Sequence, residues 1–437
     1  MQKLDLALEL SKTIVSGHWD SAAIHARLAR RLPRKLQAPI DAMAKRLLAD
    51  FPRICAPPAK AVAQAIVKTK QFELIMQHCL RHDSWPQRDH TPPVMLPIPA
   101  LSALNVPPLP TLQALADWLL LKPDQLDRFA DVSGRHEKSN IGAINHYHYA
   151  LIPKRAGGHR LVEAPKSTMK ALQRQILRGI LDMIPASRHA FGFVKGRNCI
   201  EAASRHAGEQ LVIRFDLKDF FPSVGFGRIF GVFRCLGYPE EVSRHLANIC
   251  TTRTPLRVLE GLAPADRLPY RHAHLPQGAP TSPSLANLVA FTLDRRLWKL
   301  AASVDGNYTR YADDLCFSGD RAMAATLLGM VPEIVRDEGL TLNAAKTHIM
   351  SSSSRQLVTG IVVNSHVNVR RDTYDRIKAT LHACKRADDL RLADPSFRAS
   401  LIGQIGWIEA CNPRKGLRLR QRLEDVEESR RTNSVQP

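Results

Sequence analysis

Asp313 and Asp314 stand side by side, with Tyr308, Thr309 and Tyr311 just before them and Leu315, Cys316 and Phe317 just after. Aromatic and β-branched residues around an Ala312-Asp313-Asp314 centre predict strand, tight turn, strand. Two adjacent carboxylates at such a turn repel each other and lose solvation as a site closes. A divalent cation is the natural group to offset that cost. A third acid, Asp216, ends the apolar run Leu211, Val212, Ile213 and Phe215, which predicts a strand delivering the carboxylate at its tip. Asp-Asp by itself is a common turn, and a lone strand-end Asp is more often a cap or a surface acid. Taken together, three carboxylates and the oxygens of a triphosphate suit two Mg²⁺ ions. Such ions stabilise the attacking and leaving oxygens of an in-line displacement.

Other segments could position those acids and their substrate. In residues 275–287, Leu275-Pro276-Gln277-Gly278 runs into Ser282 and Pro283. Gly278 permits a close backbone approach, and Ser282 as N-cap with Pro283 at the first helical position predicts a helix start that could face a phosphate or a base pair. Upstream, residues 148–153 and 160–162 flank Gly157-Gly158 and predict a β-hairpin. Ser167 then opens a predicted helix with Met169, Leu172, Ile176 and Ile180 on one face and Lys170, Arg174 and Arg178 on another. That basic stripe could track phosphates or simply face solvent.

The chain of 437 residues carries 62 Lys and Arg against 41 Asp and Glu, a formal charge of +21. Such an imbalance points to a polyanionic partner, nucleic acid before an anionic membrane. The 44% of hydrophobic residues allows a sizeable core. No two cysteines form a C-x-x-C pair, no apolar leader opens the sequence and no apolar run is long enough to span a membrane, so a cytoplasmic protein with free thiols is expected. Residues 1–85 predict a helical extension, with Leu4 to Ile14 and Ala22 to Leu32 as its first two helices. His78, Cys79 and His82 lack a second ligand cluster and predict no metal site. Prolines crowd residues 86–110, predicting a semi-rigid linker. Thr111 is a candidate cap for the helix that follows. Beyond Glu424 the tail is charged without apolar periodicity and is expected to fray.

The Asp216 strand, the Leu275-Pro276-Gln277-Gly278 loop and the Tyr311-Ala312-Asp313-Asp314 box, in that order, resemble motifs A, B and C of reverse transcriptases. The resemblance runs from about residue 147 to 364 and continues to about 419. It implies an α+β right-hand polymerase with fingers and palm over 111–364 and a helical thumb and charged tail over 365–437, beside the helical N-terminal extension of residues 1–85, which the resemblance does not cover. It implies a metal-binding catalytic set of Asp216, Asp313 and Asp314, with the Leu217 carbonyl as a further ligand of two Mg²⁺ ions. Phe221 falls where the family places its steric gate against a ribose 2′-OH. Gln277 and Gly278 match the nucleotide pocket, and Lys154 and Arg160 match fingers positions that contact the incoming triphosphate. Lys346 resembles the motif D lysine, a candidate proton donor to pyrophosphate.

Two further strings are similar to retron reverse transcriptases. One is the Val358-Thr359-Gly360 string within 356–364, a predicted strand-turn-strand unit. The other is Ala202-Ala203-Ser204-Arg205-His206, where the second Ala and the His match the family's pattern and Ala202 replaces its Asn. The stretch from Phe397 to Leu419 resembles the retron thumb that docks a structured RNA, with Arg414, Lys415 and Arg418 as candidate phosphate contacts and His206 as a further RNA contact. The resemblance implies a cognate non-coding RNA template, deoxynucleoside triphosphates, an RNA-linked DNA product and an effector protein in anti-phage defence. Other defence-associated or group II intron-like reverse transcriptases, and a non-catalytic RNA-binding scaffold, are the alternatives.

Overall fold

The computed structural model describes residues 2–52, 55–86, 93–134, 145–154, 157–386 and 388–433. The chain divides into two compact units. The first comprises Met1–Pro185 and Phe221–Val289, the second Ala186–Phe220 and Ala290–Pro437.

The first unit opens with helices Lys3–Val15, Ser21–Ala29, Gln37–Asp50, Ala59–Ile66 and Lys70–His82. Their apolar faces meet in a core of Leu6, Leu10, Ile14, Ile24, Leu28, Ile40, Met43, Val62, Ile66, Phe72 and Ile75, as helical periodicity in the sequence requires. Asp20 caps the second helix and Thr69 the fifth through their side-chain oxygens. Part of the proline-rich segment, 87–92, lies outside the described residues. From residue 93 on it is pinned: the Leu96 and Ile98 N–H groups donate to the carbonyls of Gly237 and Cys235, and the Tyr238 hydroxyl donates to Pro107. Thr111 caps the next helix, Leu112–Trp118, as expected.

The predicted hairpin is present as strands β1 (Tyr147–Pro153) and β2 (His159–Pro165), paired antiparallel from Tyr147 opposite Pro165 to Pro153 opposite His159. The helix Ser167–Gly179 follows, burying Met169, Leu172 and Ile176 and leaving Lys170, Arg174 and Arg178 exposed. Helices Phe226–Cys235 and Glu240–Cys250 complete the body of this unit, and Ser282–Val289 closes it.

The second unit is built on a four-stranded antiparallel sheet. Strand β3 (Leu211–Asp216) lies between β5 (Asp314–Gly319) and β6 (His348–Ser351), and β4 (Asn307–Tyr311) pairs with the outer edge of β5. A small hairpin follows, β7 (Leu357–Val358) and β8 (Ile361–Val362). Its turn residues Thr359 and Gly360 both have positive φ, the signature of a type I′ turn. This is the strand-turn-strand unit expected there.

Three helices, Arg371–Ala383, Pro395–Cys411 and Pro413–Asn433, pack with this hairpin around Val358, Ile361, Ile377, Leu381, Ile405, Ile408 and Leu419. The expectation that the chain frays beyond Glu424 is corrected as far as Asn433, the last of the described residues. Helix Pro413–Asn433 continues, Val426 is fully buried, and Glu427 takes an ion pair from Arg398 at 2.7 Å. Buried Val426, the Glu427 carboxylate and Arg430, which donates to the carbonyls of Cys384, Arg386 and Asp389, anchor a stretch whose composition alone reads as solvent-facing.

Candidate active site

Strand pairing decides where the acids meet. Asp216, last residue of β3, lies directly opposite Asp314, first residue of β5. Tyr311 pairs with Asp314 across the β4–β5 hairpin, so Ala312 and Asp313 form a two-residue turn. Ala312 takes φ +57° there, a position that hairpins with a positive first residue usually give to glycine. The Leu217 N–H donates to the Asp313 carbonyl at 2.9 Å, tying the turn to the end of β3. Thus Asp216, Leu217, Asp313 and Asp314 gather at one end of the sheet.

Each carboxylate at this end has a different environment. Arg214, two residues back on β3, reaches Asp314 Oδ1 at 2.9 Å. Lys346, at the end of the short 3₁₀ turn Ala344–Lys346, places Nζ 3.1 and 3.0 Å from the two oxygens of Asp216. Asp313 has burial against it first, then the charges of Asp216 and Asp314, and its carboxyl is pushed above its ordinary range. Among the described residues no three His, Cys, Asp or Glu side chains already form a metal-holding cluster. Carboxylate oxygens are nonetheless the hard donors that Mg²⁺ prefers. The repulsion felt by Asp313 is what a divalent cation would relieve, so the donor set fits one.

His206 does not belong at an RNA surface, which corrects the expectation. It is fully buried, with its two ring nitrogens 2.7 Å from the Ser318 and Thr309 hydroxyls. Burial pushes its pKa down to about 3. The ring staples neighbouring strands β4 and β5. Sequence spacing could not separate this role from surface binding, because His is common in both settings.

In the first unit, Lys154 and Arg160 are exposed on the β1–β2 hairpin. The Lys154 N–H donates to the Gly158 carbonyl at 3.0 Å, which helps close the hairpin end. The loop that contains Gln277 and Gly278 docks on β2: the Glu163 N–H donates to the Gln277 carbonyl at 2.9 Å. Gly278 has φ +137°, and a Cβ there would come 3.0 Å from the Glu163 carbonyl oxygen, so glycine is required twice over. Ser282, expected as the cap with Pro283 first in the helix, is instead itself the first helical residue, and its hydroxyl donates to the Pro276 carbonyl at 2.7 Å, tying the loop to the helix start. Phe221 is half-buried in the short helix Phe220–Ser223 that follows β3.

Sequence reasoning missed two buried polar groupings. Glu163 accepts from Thr254 at 2.7 Å and lies 2.8 Å from His274 Nε2, with both side chains sealed from solvent beneath the Gln277 loop. Arg310 and Asp294 form a fully buried pair behind the Ala312 turn. The available signal was a charged residue among strand-forming side chains, Glu163 after Val162 and Arg310 between Thr309 and Tyr311, since charged residues are almost never fully buried without a partner.

On helix Pro413–Asn433, Arg414 and Arg418 are exposed. Lys415 is half-buried, its ammonium 5.1 Å from the centre of the Tyr374 ring. No helix among the described residues is long and apolar enough to cross a membrane.

An antiparallel sheet that gathers three aspartates at one end, in a chain with helices and a separate β-hairpin, defines the α+β class of right-hand polymerases. The sequence profile described as reverse transcriptase (RNA-dependent DNA polymerase) matches residues 152–370, half of the chain. The chain is 40% identical over 282 residues to the retron Mx65 reverse transcriptase of Myxococcus xanthus, covering 64% of each protein. It is 34% identical over 336 residues to the retron Mx162 reverse transcriptase of the same organism, covering 73% of this chain and 67% of that one. With the retron Ec86 reverse transcriptase of Escherichia coli it shares 36% identity over 225 residues, 51% of this chain and 64% of the relative. The chain belongs to the reverse transcriptase family and is of its retron type. Its matches span about two thirds of the lengths of these relatives.

Proposed function

We propose that this protein is an RNA-directed DNA polymerase of a retron, copying a cognate structured non-coding RNA into RNA-linked single-stranded DNA. The observation that carries the reading is the pairing of Asp216 with Asp314 across β3 and β5, with Asp313 on the adjoining turn. A protein that only bound RNA would have no use for three mutually repelling acids held together, one of them pushed up by burial and then by the charges of the other two.

On this reading Asp216, Asp313, Asp314 and the Leu217 carbonyl would hold two Mg²⁺ ions, which would supply charge stabilisation to the phosphoryl transfer. The chain's own residues do the rest. Lys154 and Arg160 receive the triphosphate of the incoming deoxynucleotide as paired cations. Gln277 and Gly278 line the nucleotide pocket, and the tight packing of Gly278 on β2 holds that lining rigid. Phe221 excludes a ribose 2′-OH by bulk. Lys346 carries a proton at Nζ that it can release to pyrophosphate. Arg414, Lys415 and Arg418 present cations for the phosphates of the template RNA. Synthesis of this kind, with an effector protein, would serve anti-phage defence.

Purified protein should extend a primer on an RNA template only when Mg²⁺ is present, and sequencing of co-purifying nucleic acid should return one structured RNA joined to DNA. Absence of any Mg²⁺-dependent incorporation would favour a binding scaffold. Products unrelated to co-purifying RNA would favour a different defence polymerase.

A further inference from the structure

The turn that carries Asp313 and Asp314 puts alanine where the backbone asks for glycine. At φ +57° the Ala312 Cβ crowds the following carbonyl, so the surroundings must hold the residue in place. The side chain that reaches it is Arg310. Its Nη1 donates to the Ala312 carbonyl at 3.2 Å. Its Nε and Nη2 donate to the two oxygens of Asp294, each at 2.7 Å. Asp294 sits on helix Phe291–Ala302 and accepts a third bond, from the Tyr308 hydroxyl at 2.9 Å. Both Arg310 and Asp294 are 0% exposed.

The backbone of Arg310 is fixed as well. Its N–H donates to His189 at 2.7 Å, and its carbonyl accepts from Phe191 at 2.8 Å. From the same loop, Gly192 abuts the turn so closely that a Cβ there would lie 2.5 Å from the Ala312 nitrogen. The turn is therefore held by a guanidinium on one of its groups and a glycine against another.

Stability does not explain the pair. Apolar residues of similar volume hold a strand to a helix as well as a buried ion pair does, or better. What they cannot do is donate to the Ala312 carbonyl while gripping the helix. The planar guanidinium does both, with a bidentate fork for the carboxylate and a further N–H for the turn.

We propose that the Arg310–Asp294 pair is a positioning device that locks Ala312 in its left-handed conformation and thereby fixes the aim of Asp313 and Asp314. Neither residue touches substrate. The consequence for synthesis rests on the polymerase reading above, whereas the consequence for the turn does not.

The test uses the full chain and three sets of variants. The apolar replacement Arg310→Met/Asp294→Leu/Tyr308→Phe removes the buried charges together. Arg310→Lys keeps a charge but loses the fork. Arg310→Lys/Ala312→Gly adds a residue that takes positive φ without a clamp. The readouts are thermal midpoint, amide hydrogen exchange at residues 312–315 without substrate, and kcat and KM for single-nucleotide incorporation.

The apolar variant should melt at or above the wild-type midpoint, yet exchange at the turn should rise about tenfold or more. Its kcat should fall about 10- to 100-fold, the scale of a catalytic group misplaced by an ångström, with KM for the nucleotide within about twofold. Arg310→Lys should move the same way, and adding Ala312→Gly should recover part of both losses. A purely structural pair would show no such rescue.

Wild-type turn exchange in a folded apolar variant, or in Arg310→Lys, would overturn the proposal, as would absence of rescue by Ala312→Gly. If the apolar variant does not fold, the Arg310→Lys pair of variants carries the test alone. A wild-type protein that makes no DNA would overturn the polymerase reading and leave the exchange result standing.

Discussion

Lys346 Nζ lies 3.1 and 3.0 Å from the two carboxylate oxygens of Asp216, so the lysine expected to serve the leaving group is held on one of the acids expected to hold metal. The lysine is 55% exposed and the aspartate 11%. Its ammonium neutralises Asp216 and can be drawn off it at little cost, because ion pairs this open contribute on the order of 0–1 kcal/mol.

Lys346→Ala therefore has two expected effects. The maximal rate of incorporation should fall about 10²- to 10⁴-fold, the contribution of a general acid. The Mg²⁺ concentration for half-maximal rate should also fall, because no ammonium competes for Asp216. A Mg²⁺ titration of single-turnover incorporation reads both, and an unchanged plateau would remove Lys346 from the chemistry.

Asp313→Asn should separate stability from synthesis. Burial and two like charges disfavour the ionised carboxylate, so the amide should leave the thermal midpoint unchanged or raise it. Synthesis should drop by more than about 100-fold, exceeding the usual cost of losing an outer-shell partner of a metal site. Asp314→Asn should be as inactive, and it also weakens the charge partner of Arg214. RNA affinity should stay near wild type in both, measured by filter binding.

Phe221→Ala should open space at the sugar of the incoming nucleotide. Ribonucleotide discrimination should weaken by about tenfold or more, in line with the removal of several carbons from a sterically selective pocket. Competition between dNTP and rNTP in primer extension measures it. Wild-type discrimination would place the gate elsewhere.

The combined change Arg414→Ala, Lys415→Ala and Arg418→Ala should weaken binding to the cognate RNA and flatten the salt dependence by roughly 0.7–0.9 of a log unit per lost phosphate contact. Arg414 and Arg418 are exposed, whereas Lys415 leans on Tyr374, so Lys415→Ala alone should also cost some packing. Extension of a generic primed template at saturating concentration should suffer less. Identical affinity and salt slope in the variant would mean that these cations only face solvent.

His206 predicts an acid limb of stability. Burial favours the neutral ring and holds its folded pKa at about 3, below the value near 6.5 expected for an unfolded histidine. Between those values the unfolded chain binds the extra proton, so stability is fully present above about pH 6.5. It declines as pH falls toward 3, by up to about 1.4 kcal/mol per pH unit. Urea unfolding of wild type and His206→Gln between pH 7 and 5 should show a shallower slope for the variant. Equal slopes would mean that another group controls this range.

Much of the fold and of the site's composition was legible because it is local. Aromatic and β-branched residues around an Ala312-Asp313-Asp314 centre give a strand-turn-strand wherever that segment folds. A continuous apolar run delivers Asp216 at a strand end, and Gly157-Gly158 and Gly360 mark their hairpins by backbone preference. Order along the chain was enough to make the family legible.

Which groups face each other was settled only by tertiary structure. The register that sets Asp216 opposite Asp314 and the ion pair of Lys346 with Asp216 join residues far apart in sequence, and Arg310 is held against the turn by Asp294 on a separate helix. The same is true of His206, whose spacing matched a surface motif while its ring is sealed between Ser318 and Thr309, and of Val426, which holds a turn that composition alone leaves in solvent. A sequence fixes each residue's intrinsic charge and backbone preference, but burial and pairing depend on which distant segments exclude water from it, and only the packed chain decides that.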